Sequence, residues 1–220
     1  MKDNPIDMAI DFLETVEYSG YDAGVDKENL AEALTALRKT EEVDVPALKM
    51  DRVWAMPNKW TFTILPIKKL LLELTDDYSN WVDPFAGMNS PCGITNDLRE
   101  DMPTTYHMCA LEFLKSLPDN SFDGVLYDPP YSITQAKECY EGAGMKNLAG
   151  SMRWWADVKD EIARITKPSG TVVCFGWSSN GVGKGRGFKM DRVLLVPHGG
   201  SKNDTIVTVE TKAALADEGE

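Results

Sequence analysis

Apolar positions along this chain recur with two periods, and the change between them divides it. In the first 45 residues Ile6, Ala9, Ile10, Phe12, Leu13 and Val16 keep helical spacing, and Gly20 to Gly24 interrupt it. Asp26 then caps a second segment whose Leu30, Ala33, Leu34 and Leu37 share one face. These faces predict packing onto the main domain or onto a partner subunit. From Trp81 onward short β-rich runs alternate with helical ones. Trp81–Phe85, Gly93–Asn96, Thr104–Met108, Gly124–Tyr127, Thr171–Trp177, Arg192–Val196 and Thr205–Val209 read as strands. Ile67–Leu74, Cys109–Leu117 and Met152–Ile165 read as helices. The alternation predicts an α/β fold whose mostly parallel sheet is covered on both faces. The short turn His198-Gly199-Gly200-Ser201 predicts that the last two strands pair antiparallel. In such sheets ligands collect beyond the carboxyl ends of the strands.

Length and composition narrow the picture. A chain of 220 residues buries enough surface to fold without disulfide or metal staples. The expected division is an acidic helical extension over 1–45, one main domain over 46–212 and a flexible tail over 213–220. Cys92, Cys109, Cys139 and Cys174 are scattered, and His107 and His198 stand alone, so no metal site is expected and a reducing, cytoplasmic setting is. No apolar run approaches 18 residues, and the N-terminus has no signal-peptide profile, so no membrane partner is expected. The net charge of −12 argues against coating nucleic acid through bulk charge, yet it is concentrated at the ends. Residues 1–45 carry 4 basic and 12 acidic side chains, whereas 132–209 carry 11 basic and 7 acidic.

The sharpest chemical signal is Asp128-Pro129-Pro130-Tyr131, directly after the run ending at Tyr127. Two prolines make an extended, rigid turn and remove two amide donors. The Asp128 carboxylate and the Pro129 carbonyl are left as acceptors beside an aromatic face. That arrangement suits an exocyclic amino group on a planar base. Its nitrogen is a poor nucleophile because the lone pair is delocalised into the ring. Two acceptors gripping its hydrogens free the lone pair, Tyr131 stacks on the ring, and the carboxylate stabilises the charge that develops. The bland alternative is a strand-ending turn with a surface tyrosine.

Tyr127-Asp128-Pro129-Pro130-Tyr131 resembles the catalytic motif of S-adenosylmethionine-dependent amino-methyltransferases that act on adenine or cytosine. Val82-Asp83-Pro84-Phe85-Ala86-Gly87 is similar to their cofactor motif, and Lys59-Trp60-Thr61-Phe62-Thr63-Ile64 to the segment that closes the cofactor pocket. The order of the three motifs resembles small phage-encoded members. The resemblance runs from about Trp54 to Lys212. It implies a Rossmann-like class I methyltransferase with a seven-stranded sheet, S-adenosylmethionine as cofactor and DNA as partner, in a prokaryotic or phage-infected cytoplasm. The implied reaction is N6 methylation of adenine flipped out of DNA. N4 of cytosine, RNA adenine or a non-catalytic subunit of the same fold are the alternatives, and the N-terminal helices could serve a homodimer or partner subunit.

The resemblance also assigns roles. Asp128, Pro129, Pro130 and Tyr131 are the catalytic residues. Lys59, Thr61, Phe62, Asp83, Pro84, Phe85, Gly87, Asp97 and Cys109 are the cofactor-binding ones. Asp83 would receive the cofactor's ammonium group, directly or through water, and Phe85 or Phe62 would pack on it. Gly87 would allow close backbone approach. Asp97 would accept from two ribose hydroxyls, or else cap a helix that starts at Leu98. Only 13 residues separate Asp83 from Asp97 and Pro91 lies among them, so the first crossover is expected to be a loop. Cys109 stands where an acid is usual in the family and is a weaker hydrogen-bond partner. Ser178 to Gly187 is expected to be a mobile loop gripping phosphates through Lys184 and Arg186, with Lys189 extending that surface. The insert Ser132–Ser151 could reach over the substrate, and Trp154 and Trp155 serve either core packing or stacking.

Overall fold

In the computed structural model, residues 48–142, 152–200 and 202–214 are described. The expected N-terminal helices, residues 143–151 of the insert and the tail from 215 lie outside them. Seven strands form one sheet: β1 (Lys49–Arg52), β2 (Trp81–Asp83), β3 (Ile94–Thr95), β4 (Phe122–Tyr127), β5 (Thr166–Gly176), β6 (Phe188–Val196) and β7 (Thr205–Lys212). Their order across the sheet is β1-β6-β7-β5-β4-β2-β3. β7 runs antiparallel to both β5 and β6, and every other pairing is parallel. The α/β architecture, the mostly parallel sheet and the antiparallel pairing of the last two strands are thus as expected.

The seven are not the seven the sequence suggested. Thr104–Met108 contributes only an isolated bridge, Asn96 to Tyr106. β3 is two residues long, so a strand beyond it has almost no ladder to join. The missing member is replaced at the opposite edge by β1, which pairs parallel with β6 from Lys49↔Arg192 to Arg52↔Leu195. β1 shows no buried alternation, and so nothing in its sequence marks it.

Alternation along the central strands builds two cores. Val125, Tyr127, Val172 and Cys174 face a cluster completed by three helices: α2 (Ala110–Ser116), α3 (Ile133–Gly142) and α4 (Met152–Ile165). Leu126, Val173 and Phe175 face the other way, onto α1 (Leu65–Leu74) and a 3-10 turn at Thr61–Thr63. In α4, Val158, Ile162 and Ile165 are fully buried, which contributes roughly 1.5–3 kcal/mol each. Asp83 and Asn96 are joined through the Asn96 N–H to the Asp83 carbonyl at 2.9 Å, and residues between them form no helix, as Pro91 foretold.

Gly124 shows how closely the sheet is packed. A Cβ there would lie 2.5 Å from the Trp81 ring. Gly124→Ala should therefore cost about 1–3 kcal/mol through overpacking. Urea unfolding checks it, and a wild-type midpoint would show that Trp81 can yield.

Candidate active site

Beyond the carboxyl ends of β2, β3 and β4 lies a cavity of about 770 Å³. Its lining gathers residues from distant parts of the chain: Thr61, Pro84 and Phe85, Asp97, the whole Asp128–Tyr131 turn, and Thr205. Of the expected site residues, Thr61, Pro84, Phe85, Asp97, Asp128, Pro129, Pro130 and Tyr131 share this enclosure.

Asp128 leaves β4 half-buried. The Tyr131 hydroxyl donates to its Oδ1 at 2.8 Å, and the Tyr131 N–H donates to Gln135 Oε1 at 2.9 Å. Burial pushes the Asp128 carboxyl up to about 6, and hydrogen bonds from the Thr61 and Tyr131 hydroxyls partly oppose it. Burial, with the neighbouring Asp128 charge, also holds the Tyr131 phenol well above its usual range. The Tyr131 ring stands edge-on to Trp177 at 5.8 Å, so aromatic surface flanks the turn.

Asp97 lies two residues beyond β3, and no helix follows, so it caps none. Its Oδ1 accepts the Arg99 N–H at 2.8 Å and its Oδ2 the Gly87 N–H at 3.0 Å. Gly87 has φ +53°, a turn that a side chain would strain, and its role is to aim that N–H at Asp97. Each carboxylate oxygen keeps a lone pair for a ligand.

Asp83 is placed differently. It is fully buried and absent from the lining; its Oδ1 accepts the Phe85 N–H at 3.0 Å and its Oδ2 the Ser90 hydroxyl at 2.7 Å. Burial pushes its carboxyl up to about 8, with the Asp128 and Asp97 charges adding to the rise and the two hydrogen bonds opposing it. Asp83 therefore shapes the Pro84–Phe85 turn from behind.

Other expected residues also sit outside the cavity. Phe62 is buried against Phe175, ring centroids 5.4 Å apart, and the Lys59 ammonium lies over the Trp60 ring at 4.7 Å. Cys109 is buried, its thiol 3.9 Å from the Tyr140 hydroxyl, which accepts the Ala110 N–H at the start of α2. Tyr140 and Ala110 line the cavity in its place.

The loop after β5, expected to be mobile, is held by several hydrogen bonds. Buried Glu210 accepts from the N–H groups of Val182 at 2.6 Å and Gly183 at 3.0 Å. Arg186 donates to Asp160 at 2.6 Å and to the Val182 carbonyl at 3.1 Å. Lys184 and Lys189 are exposed. The register Lys189↔Thr211↔Thr171, against Tyr127↔Cys174, sets Lys189 three residues back along the sheet from Tyr127. At about 3.3 Å per residue that is roughly 10 Å, on the side away from Asp128.

Several lining residues carried no motif of their own. Asn96 is buried, and its side chain ties the Pro84 carbonyl (3.1 Å) to the Met108 carbonyl (3.0 Å) and N–H (3.1 Å). His198 Nδ1 is 2.9 Å from the Ala55 carbonyl and Nε2 2.8 Å from the Thr205 hydroxyl. A carbonyl only accepts, so Nδ1 donates to it. His198 thus clamps the entry of β7 to the segment after β1. Gln135 and Trp177 could have been suspected only from closeness to the turn and to a strand end. Among the described residues no group of three His, Cys, Asp or Glu could hold a metal ion, and no helix is long and apolar enough to cross a membrane.

No protein-family model matches the chain. It is 33% identical over 76 residues to the type II methyltransferase M.BamHI of Bacillus amyloliquefaciens, covering 34% of this chain and 18% of that protein. It is 27% identical over 74 residues to the type II methyltransferase M.BglII of Bacillus subtilis, covering 34% of this chain and 19% of that protein. The matches thus span about a fifth of each relative's length. Among solved structures, TrmN from Thermus thermophilus aligns over 68% of this chain and 49% of its own, with TM-score 0.46 and 18% identity.

Proposed function

We propose that this chain transfers a methyl group from S-adenosylmethionine to N6 of an adenine rotated out of DNA. The observation that carries the reading is the shared enclosure: one cavity is lined by both the Asp128–Tyr131 turn and Asp97. The local likeness to two proteins named as methyltransferases supports it.

The residues present fit the cofactor. A cavity of about 770 Å³ is of ligand size, and it offers a carboxylate for ribose hydroxyls at Asp97 and apolar walls at Phe85, Leu98 and Met108. When bound, the cofactor supplies an electrophilic methyl group carried on a positive charge. The chain does the rest. Asp128 and the Pro129 carbonyl accept the two amino hydrogens, and the Thr61 and Tyr131 hydroxyls keep the carboxylate oriented. Charge developing on the amino nitrogen is met by a preoriented carboxylate. The base must leave the stack to reach it.

Labelled cofactor, DNA, digestion to nucleosides and mass spectrometry test the reading. N6-methyladenine is the expected product. N4-methylcytosine would replace the substrate, methylated RNA alone would replace DNA, and no methylated nucleoside at all would remove the enzymatic reading.

The mechanism needs Asp128 ionised. With its carboxyl pushed up to about 6, kcat/KM should rise with pH through that value and level off above it. An acid limb centred near 4 would mean that burial does not perturb this carboxylate.

A further inference from the structure

The Asp128–Tyr131 pair is held by more than its own turn. The Tyr131 hydroxyl gives its one hydrogen to Asp128 Oδ1 at 2.8 Å, which leaves its oxygen free to accept. The hydroxyls of Thr61, from the 3-10 turn, and of Thr205, at the first position of β7, both hydrogen-bond to Tyr131. Thr205 is buried, and its Oγ1 lies 2.8 Å from Nε2 of His198, which is buried too. A hydroxyl both donates and accepts, so Thr205 serves His198 and Tyr131 at once. His198 is fixed in turn: Nδ1 donates to the Ala55 carbonyl at 2.9 Å, and its backbone N–H to Asp204 Oδ1 at 3.3 Å. Asp128, Tyr131, His198 and Thr205 all line the cavity.

We propose that His198 is a positioning residue: through the Thr205 hydroxyl it fixes the Tyr131 hydroxyl, and with it the Asp128 carboxylate, for methyl transfer. The assignment rests on the methyltransferase reading above and goes beyond it. A preorganised acceptor is effective when its direction is set before charge develops. Asp128 Oδ1 takes its direction from Tyr131, and Tyr131 takes its own in part from Thr205. Thr205 is β-branched and stiff at χ1, and the His198 ring is bonded at both nitrogens, so neither turns freely. The series of bonds ends on backbone, at the Ala55 carbonyl just beyond β1. A clamp between β7 and that segment needs a second bond from His198 to β7, but not one whose partner also reaches Tyr131.

His198→Asn keeps an amide N–H for the Ala55 carbonyl and loses the bond to Thr205, and Thr205→Val removes the hydroxyl while keeping the branched shape. Each should lower kcat for methyl transfer to DNA about tenfold, with KM and the cofactor Kd within about twofold of wild type. Thr205→Ser keeps the hydroxyl and should stay within about threefold of wild type. In a Tyr131→Phe background there is no hydroxyl for Thr205 to hold, so Thr205→Val should cost nothing further. A merely structural network would lower the urea midpoint and leave kcat per folded protein unchanged. If both variants transfer methyl at the wild-type kcat, or if Thr205→Val costs the same tenfold in Tyr131→Phe, the assignment is overturned. Should Thr205→Val not fold, His198→Asn in the same Tyr131→Phe background decides between the same two outcomes. A wild-type protein that methylates no nucleic acid overturns the functional reading itself, and the assignment with it.

Discussion

Asp128→Ala should abolish methyl transfer, by a factor of about 1,000 or more, while cofactor affinity stays within a few-fold of wild type. Asp97, Phe85 and Pro84 form the part of the cavity assigned to the cofactor, and none of them depends on Asp128 for a hydrogen bond. Asp128 meets the amino group, whose charge develops only during transfer, so its loss falls on kcat. Asp128→Asn separates charge from shape, because it keeps an acceptor for the Tyr131 hydroxyl and loses the anion. Its activity should lie between wild type and the alanine variant, without the rise through pH 6. Calorimetric titration of the cofactor and single-turnover transfer measure the two halves. Equal transfer by Asp128→Ala and wild type would remove the mechanism.

Asp83→Asn should make folding stability far less dependent on pH. The folded-state carboxyl is pushed up to about 8, against an unfolded value near 3.9, so the native state holds a proton that the unfolded chain releases. A group raised in this way contributes stability that is fully present below the unfolded value and is lost as pH rises through 8. Wild type should therefore weaken from pH 5 to 8, by on the order of 3–4 kcal/mol from this group alone. Asparagine does not titrate. It can still accept the Phe85 N–H through its carbonyl and donate to the Ser90 hydroxyl through its amide, so the turn is preserved. The stability advantage of the variant should grow steadily across that range in urea titrations at each pH. Parallel curves for the two proteins would show that Asp83 titrates normally.

Helices α1, α2 and α4 were legible within two residues, because each buries one periodic face. The central strands were legible because β2, β4 and β5 are buried on both sides. β1 was not, since its exposed residues carry no periodic signature and its place depends wholly on β6. Asp83 and Asp97 looked equivalent in sequence, both acids at strand ends. The fold turns one inward to the Phe85 N–H and Ser90 and the other to the cavity. Trp154 and Trp155 also looked alike, but adjacent helical positions point about 100° apart, so Trp154 enters the core and Trp155 packs half-buried against its edge.

The alternation of elements, the rigid acceptor turn at Asp128–Tyr131 and its place at a strand end were all legible from residue order. Those are local properties, set by ring constraints, periodicity and nearest neighbours. Which acids face the cavity, and that Glu210 holds the loop after β5, follow only from the folded chain. Each of these depends on groups far apart along the chain, and their directions are set by packing and sheet register.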